Sequence, residues 1–424
     1  MFWSGQTHIF PISISSSAKP SPTNVTPTRV PTCCRSLSDH SSLPGTMMQL
    51  TAPKFDEAEI EQLRACLGSG WVTQGPMTQK FEGLIAERHG VKHALATTSC
   101  TAALHLATMA LGLKTGDEVI VPAFTWVTSA HCAEYVGAKA VFADIDLATY
   151  NLDPAAFAAA ITPRTRAVVA VHLFGLAAPM DEIRAHASRH GIAIIEDAAC
   201  AIGTSYRGKP VGGLGDIGCF SFHPRKVVTT GEGGAVTTNN DSIAAIIGSV
   251  RNHGAGSQRI IEDEGVGPWT MANYDRIGYN LRLSDIQAAV GVAQMAKLDT
   301  LLAERRGLAA SYRERLSDIP DIVLPAQDAG HSYQSFVVRI SDGGRRRRNA
   351  VMAAFAEQRI QTRPGTHAVP GLGYYRDKYR LDPNQFPNAI RAEDTTITLP
   401  LFPGMTMSDI DIVVEALSRA LAAT

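Results

Sequence analysis

Long apolar runs are missing from this sequence. No stretch reaches the roughly 18–20 residues that a bilayer-spanning helix needs, so no membrane span is expected. A charge excess is missing too: 39 Lys and Arg against 40 Asp and Glu give a formal net charge of −1. Nothing electrostatic therefore recommends nucleic acid or an anionic membrane surface as a partner. Cysteine is sparse and unpatterned. The seven cysteines, at 33, 34, 66, 100, 132, 200 and 219, are odd in number and contain no Cys-x-x-Cys pair. That excludes a disulfide framework and a zinc site from the expectations and points to a reducing, cytoplasmic setting. The one local concentration of charge, Arg345-Arg346-Arg347-Arg348, reads as a solvated turn ahead of a helix starting near Asn349 rather than as a polyanion patch.

What is present is the composition of an ordinary globular protein. The chain has 424 residues, 45% hydrophobic and 19% charged, enough for a large domain and a smaller one. Residues 1–46 stand apart. They are rich in Ser, Pro and Thr, show no helical or strand period, and carry one acid, Asp39, against Lys19, Arg29 and Arg35. They are expected to be a disordered extension outside the fold, either a targeting segment or the product of a start codon assigned too early.

Beyond residue 56, short apolar runs alternate with helical stretches. Residues 93–98, 119–122, 140–145, 167–174, 192–198, 218–222 and 235–238 are the expected strands. Helix patterns such as 101–113, 129–136, 154–161 and 180–190 separate most of them. This rhythm predicts an α/β fold with a mainly parallel sheet covered by helices on both faces. A single long helix is expected over 285–315, then a mixed segment with a strand over 335–340 and helices over 349–358 and 408–422. The expected division is a large domain over 47–295 and a smaller C-terminal α/β domain over 296–424.

Four local patterns carry chemistry. In Thr98-Ser99-Cys100-Thr101-Ala102-Ala103 a strand end runs into a helix, whose unpaired N–H groups and positive dipole end suit a phosphate. Trp126 follows a strand's C-terminal end, the edge where open α/β sheets bind ligands, and could stack on a flat ring. Ile194-Ile195-Glu196-Asp197 ends an apolar strand in acid, and a carboxylate there could keep a pyridine nitrogen protonated. Lys226 sits in Ser221-Phe222-His223-Pro224-Arg225-Lys226, ahead of Gly231-Glu232-Gly233-Gly234. Partial burial of such a lysine favours the neutral, nucleophilic amine. Taken singly, each pattern has an ordinary structural explanation: an N-cap, a packed indole, a capping acid, a solvated lysine. In this order they describe a site for a phosphate-bearing aromatic cofactor. Gly213-Leu214-Gly215-Asp216-Ile217-Gly218 spells a dinucleotide fingerprint but precedes a strand instead of following one, so a tight turn is expected.

With these residues the chain resembles the DegT/DnrJ/StrS family of pyridoxal-phosphate nucleotide-sugar aminotransferases. The likeness runs from about 55 to 417 and includes Ser69-Gly70-Trp71-Val72-Thr73-Gln74-Gly75-Pro76, Gly278-Tyr279-Asn280-Leu281-Arg282 and Leu399-Pro400-Leu401-Phe402-Pro403-Gly404. It implies the type I aminotransferase fold, with a seven-stranded sheet in the large domain, and a homodimer with active sites at its interface. It further implies that Lys226 is the Schiff-base lysine and Asp197 the partner of the pyridine nitrogen. Ser221, Thr101 and Ala102 would contact the phosphate, Trp126 would stack on the ring, and Asn280 would reach a phosphate across the dimer. Thr73 would approach substrate. Cys200 stands where relatives commonly place Gln or His beside the ring hydroxyl, and a thiol is a weak donor. The implied activity is a ping-pong cycle in which L-glutamate gives up its amino group, 2-oxoglutarate leaves, and a nucleotide-linked keto-deoxysugar is aminated. Lys226 would move the proton. Arg251, His253, Arg282 and His367 are further polar candidates. The rival readings are an aminocyclitol or amino-aromatic synthase, a dehydratase, or a cofactor-binding regulator without turnover.

Overall fold

The computed structural model describes residues 47–258 and 267–424; the expected extension over 1–46 lies outside the described residues. Two helices, α1 (Glu57–Ser69) and α2 (Pro76–His89), lead into a seven-stranded sheet. Its strands in chain order are β1 (His93–Thr97), β2 (Glu118–Pro122), β3 (Lys139–Ala143), β4 (Thr165–Val171), β5 (Ala193–Asp197), β6 (Ile217–Ser221) and β7 (Gly234–Thr238). All seven expected strands are there. They lie in the order β1-β7-β6-β5-β4-β2-β3, with β7 alone antiparallel to its neighbours. Burial explains why they were legible: β2 and β7 are buried along their whole length, as befits strands covered on both faces.

The covering helices are α3 (Cys100–Ala110), α4 (Thr128–Tyr135), α5 (Pro154–Ala160), α6 (Met180–His190) and α7 (Asp241–Val250). Strand β4 stops three residues short of expectation. Leu173–Gly175 forms a 3₁₀ turn in which Phe174 takes φ 58°, a left-handed conformation that no strand continues.

The expected helix over 285–315 is two, α8 (Asp285–Ala296) and α9 (Leu298–Leu316). The break is at Lys297, whose ammonium lies 2.6 Å from Glu59 and 3.1 Å from Asp56 at the start of α1. A tertiary ion pair, invisible to periodicity, places the joint. Beyond α9, a three-stranded antiparallel sheet, β8 (Ile322–Val323), β9 (Phe336–Ile340) and β10 (Thr396–Leu399), packs with α10 (Gly344–Glu357) and the helix Met407–Ala422 around Tyr312, Phe336, Phe355 and Leu417. The first described residues join this part: Met48 pairs with Arg359 and Gln361, and Leu50 O accepts Leu401 N. The arginine run is not a solvated turn. It forms the first turn of α10, with Arg345 paired to Glu393 and Asp394, Arg347 to Asp321 and Asp342, and Arg348 buried against the carbonyls of Glu393 and Thr396. No described helix is long and apolar enough to cross a membrane.

Candidate active site

Six of the residues singled out in the sequence meet at one cavity of about 390 Å³: Thr101, Trp126, Asp197, Cys200, Ser221 and Lys226. They come from strand ends, from the loops that follow and, for Thr101, from the first turn of α3, at the edge where parallel sheets bind ligands. Three others do not meet there. Ala102 is not among the lining residues, and its N–H donates to the Ser99 hydroxyl at 3.1 Å as part of the N-cap of α3. Thr73 and Asn280 are exposed and line no part of this chain's cavity.

The helix end at Thr101 is shaped by a glycine. A Cβ on Gly234 would stand 2.4 Å from the Ser99 carbonyl carbon and 2.5 Å from the Cys100 nitrogen, so only glycine lets β7 press against the start of α3. Asp197, 4% exposed, ends β5. One of its carboxylate oxygens accepts the Ala199 N–H at 3.1 Å, and the other accepts the Ser129 hydroxyl at 2.6 Å. Ser129 in turn lies 3.0 Å from the Thr125 hydroxyl. Its single proton goes to Asp197, so Thr125 donates to it. Neither hydroxyl stood out in the sequence. Ser129 sits three residues past Trp126, the second residue of α4, and nothing local marks it.

Lys226 lies in the turn after β6, its N–H donating to His223 O at 2.8 Å. Its ammonium nitrogen is 3.1 Å from the Cys200 sulfur, so Cys200 is in contact with the lysine. Trp126 is 51% exposed, with the His367 ring 5.7 Å away and tilted by 43°. An indole left this open on a cavity wall has a face available to a planar ring. The remaining thiols near Asp197 are buried. Burial pushes Cys100 and Cys219 well above the usual thiol range, with the Asp197 charge adding to it, and pushes Cys132 up to about 12. Burial also pulls His223 below the ordinary imidazole value.

Of the other polar candidates, Arg251 is spent on structure, bonded at 2.6 Å to both Glu82 and the Ala96 carbonyl. Arg282 is engaged by Asn252. Gln334 and Arg363, which sequence reading passed over, do line the cavity. Both come from the C-terminal part, more than 100 residues from Lys226 in the chain, so only the fold brings them in.

A helix N-terminus with a hydroxyl beside it, an open indole, a buried carboxylate and a lysine around one cavity fit pyridoxal phosphate group by group. Fold and cofactor go together: this is a pyridoxal-phosphate-dependent aminotransferase with the type I fold. The chain belongs to the DegT/DnrJ/EryC1/StrS aminotransferase family, whose model matches residues 53–418. It is 37% identical over 370 residues to the spore coat polysaccharide biosynthesis protein SpsC of Bacillus subtilis, covering 86% of this chain and 94% of that one. It is 37% identical over 378 residues to GDP-perosamine synthase of Caulobacter vibrioides, covering 88% and 98%. Among solved structures, Spr1654 of Streptococcus pneumoniae, assigned as a sugar aminotransferase and solved in PLP and PMP forms, matches with a TM-score of 0.83 at 26% identity, covering 89% of this chain and 99% of that one.

Proposed function

We propose that this chain transfers an amino group from L-glutamate to the ketone of a nucleotide-linked keto-deoxysugar, in the cytoplasm, as a step in amino-sugar or polysaccharide biosynthesis. The observation that carries the reading is the meeting of Lys226, Asp197 and the start of α3 at one cavity in a chain whose relatives include GDP-perosamine synthase. When bound, pyridoxal phosphate supplies an aldehyde that takes up the amino group and a ring that accepts the electron pair released at the donor's α-carbon.

The protein's own residues do the rest. Thr101, the N–H groups opening α3 and Ser221 hold the phosphate, and Trp126 covers the ring. Asp197, oriented by Ser129, keeps the ring nitrogen protonated. Lys226 anchors the cofactor between turnovers and, once released, carries the proton away from the donor's α-carbon. In the second half of the cycle it works in the opposite direction. Cys200 stays beside the lysine amine. Thr73 and Asn280 act in a homodimer, Thr73 toward substrate and Asn280 toward the phosphate in the partner subunit. Their exposure supports this, as does the apolar surface of Trp71, Met271, Ile277 and Tyr279 around them in the chain. In the same reading residues 47–295 form the cofactor-binding domain and 296–424 the smaller one.

The purified protein is expected to absorb at about 420 nm, to lose that band with L-glutamate, and to regain it with the matching keto-sugar nucleotide. Lys226→Ala is expected to lower turnover at least about 10³-fold with an unchanged circular dichroism spectrum. Absence of the band, together with no borohydride-fixed label on Lys226, sinks the reading.

A further inference from the structure

The turn that carries Lys226 is held largely by its own groups. Phe222 N–H donates to Gly233 O at 2.9 Å, Thr230 N–H to Phe222 O at 3.0 Å and Arg225 N–H to His223 Nδ1 at 3.2 Å. The peptide group that joins Arg225 to Lys226 is held at both ends. Its N–H, which belongs to Lys226, donates to His223 O at 2.8 Å. Its carbonyl, which belongs to Arg225, accepts the side-chain amide of Gln334 at 2.8 Å. This second bond comes from outside the turn, from a residue 109 positions further along the chain.

The Gln334 amide is oriented and its backbone is anchored. Its Oε1 accepts the Ser335 hydroxyl at 3.0 Å, which leaves the NH₂ to face the Arg225 carbonyl. From behind, Arg305 in α9, 1% exposed, donates to the carbonyls of Tyr333, Gln334 and Leu401 at 3.2–3.3 Å. On the side of the large sheet, Ser332 N–H donates to Gly175 O at 3.0 Å, and the Ser332 hydroxyl lies 3.5 Å from Cys200 O. The crossing is close-packed. A Cβ on Gly175, which has φ 95°, would stand 2.3 Å from Ser332 Oγ, 3.0 Å from the Gln334 nitrogen and 3.1 Å from the Cys200 carbonyl oxygen. Residues 332–334 therefore meet the backbone on both sides of the Lys226–Cys200 contact.

We infer that Gln334 is a positioning residue for Lys226: by holding the Arg225 carbonyl it fixes the peptide from which the lysine side chain springs, and with it the place of the amine. The inference rests on the aminotransferase reading above and adds a residue that acts through Lys226. A turn of that peptide by about 10° displaces the amine at the end of an extended lysine by about 1 Å, and a displacement of that size costs on the order of 10²-fold in rate. Gln334 also lines the cavity, so a direct contact with substrate is the competing role. Its bonding argues against that. With Oε1 and one amide N–H engaged within the protein, a single N–H remains for a ligand.

The test uses the full-length, cofactor-loaded protein with Gln334→Met, Gln334→His and Ser335→Ala. Methionine keeps the length and loses the donor, whereas histidine can still present an N–H. The half-reactions with L-glutamate and with the keto-sugar nucleotide are followed separately in single turnovers, and the 420 nm band is titrated against pH. In Gln334→Met both limiting rates should fall about 10–100-fold and by the same factor, because one lysine moves the proton in both. Apparent binding of either substrate should stay within about twofold. The midpoint of the band's titration should move by about half a pH unit or more, since it reports the surroundings of Lys226. Gln334→His should recover most of the rate. Ser335→Ala, which frees the amide to turn, should lose about 2–5-fold, and it carries the test if the replacements at 334 do not fold. A fall confined to one half-reaction, with weaker binding of its substrate, makes Gln334 a substrate contact and overturns the inference. So does a Gln334→Met protein that loses stability but keeps both rates and the midpoint. A wild-type protein that shows the band and converts no donor overturns the functional reading instead, and the midpoint then still decides the role of Gln334.

Discussion

Glu196 and Asp197 are neighbours at the end of β5, and the alternation of a strand sends them to opposite faces of the sheet. On one face Glu196, with no exposed surface, accepts His172 Nε2 at 3.0 Å. It also accepts the N–H groups of Gly212, Leu214 and Gly215 at 2.6–2.7 Å. His172 Nδ1 accepts the Ala178 N–H, which leaves the Nε2 proton for Glu196. Burial alone would raise the Glu196 pKa, but His172 and the glycine N–H groups outweigh it and hold it below the usual range. On the other face Asp197 has two donors, Ser129 and Ala199, and an open cavity beyond them. Glu196 is saturated by the protein and ties the turn 211–216 to the sheet. Asp197 keeps bonding capacity in reserve. Degree of saturation thus separates an acid of the scaffold from an acid of the site more clearly than burial, which is nearly equal for the two.

The strongest way to break this comparison is to neutralise each acid in turn. Glu196→Gln replaces one of two accepting oxygens with an amide NH₂, which faces either the Leu214 and Gly215 N–H groups or the Gly212 N–H and His172. A loss of about 3 kcal/mol of unfolding free energy is expected, read from denaturant midpoints, with the rate per folded molecule changed less than about threefold. Asp197→Asn should do the reverse. Stability should move by less than about 1 kcal/mol, while turnover falls about 10²–10³-fold, as the proposed role of Asp197 as ionic partner of the ring nitrogen requires. Equal stability losses in the two variants would remove the distinction.

The sequence exposed what is local and hid what is tertiary. The strands were legible because segments buried on both faces read as short apolar runs between turn residues. The tight turn over 213–218 was legible because its glycines precede a strand. The antiparallel direction of β7 was not, since a strand's composition says nothing of its heading. The break at Lys297 was hidden because its cause lies at Glu59 and Asp56, more than 200 residues away. Arg345–Arg348 was misread for a similar reason: the run shows four like charges, and the acids that pair with it are at 321, 342, 393 and 394. The cavity repeats the pattern. Asp197 and Lys226 ride on recognisable strand ends, whereas Ser129 and Gln334 acquire meaning only from what the fold sets beside them.

A smaller effect sharpens the scaffold side. His89, 3% exposed, has Nδ1 2.6 Å from Val211 O, at the start of the turn that Glu196 holds, and its ring lies 4.3 Å from that of Phe220. Its Nε2 has no partner among the described residues. Burial pushes its pKa down to about 4, with the charge of Arg88 adding to this and the Val211 carbonyl and Glu196 opposing it. The folded state resists a proton that the unfolded chain accepts below about 6.5. The contribution is therefore complete above that value and is lost as pH falls toward 4. Between pH 7 and pH 5 the loss is about 2 kcal/mol. His331, buried and pushed down to about 3, acts in the same direction, so His89→Phe should flatten the acid limb of the denaturant profile without abolishing it. An acid limb in His89→Phe as steep as the wild type's would exclude His89 from this role.

The smallest expected effect probes the reserve of Asp197 itself. Ser129→Ala removes the donor at 2.6 Å and leaves the Thr125 hydroxyl, 3.0 Å from Ser129, without its acceptor. The Ala199 N–H still holds the other carboxylate oxygen, so Asp197 stays in place but is free to turn. Turnover should fall about 10-fold, the scale of one charge-assisted hydrogen bond. The pH profile of the absorbance band should shift toward deprotonation of the ring nitrogen at lower pH, since a less well oriented carboxylate stabilises that proton less. Ser129→Thr, which keeps the hydroxyl, should restore most of the rate if α4 tolerates the added methyl. A Ser129→Ala protein with unchanged rate and unchanged profile would mean that the Ala199 N–H alone orients Asp197 and that the two hydroxyls merely fill the space behind it.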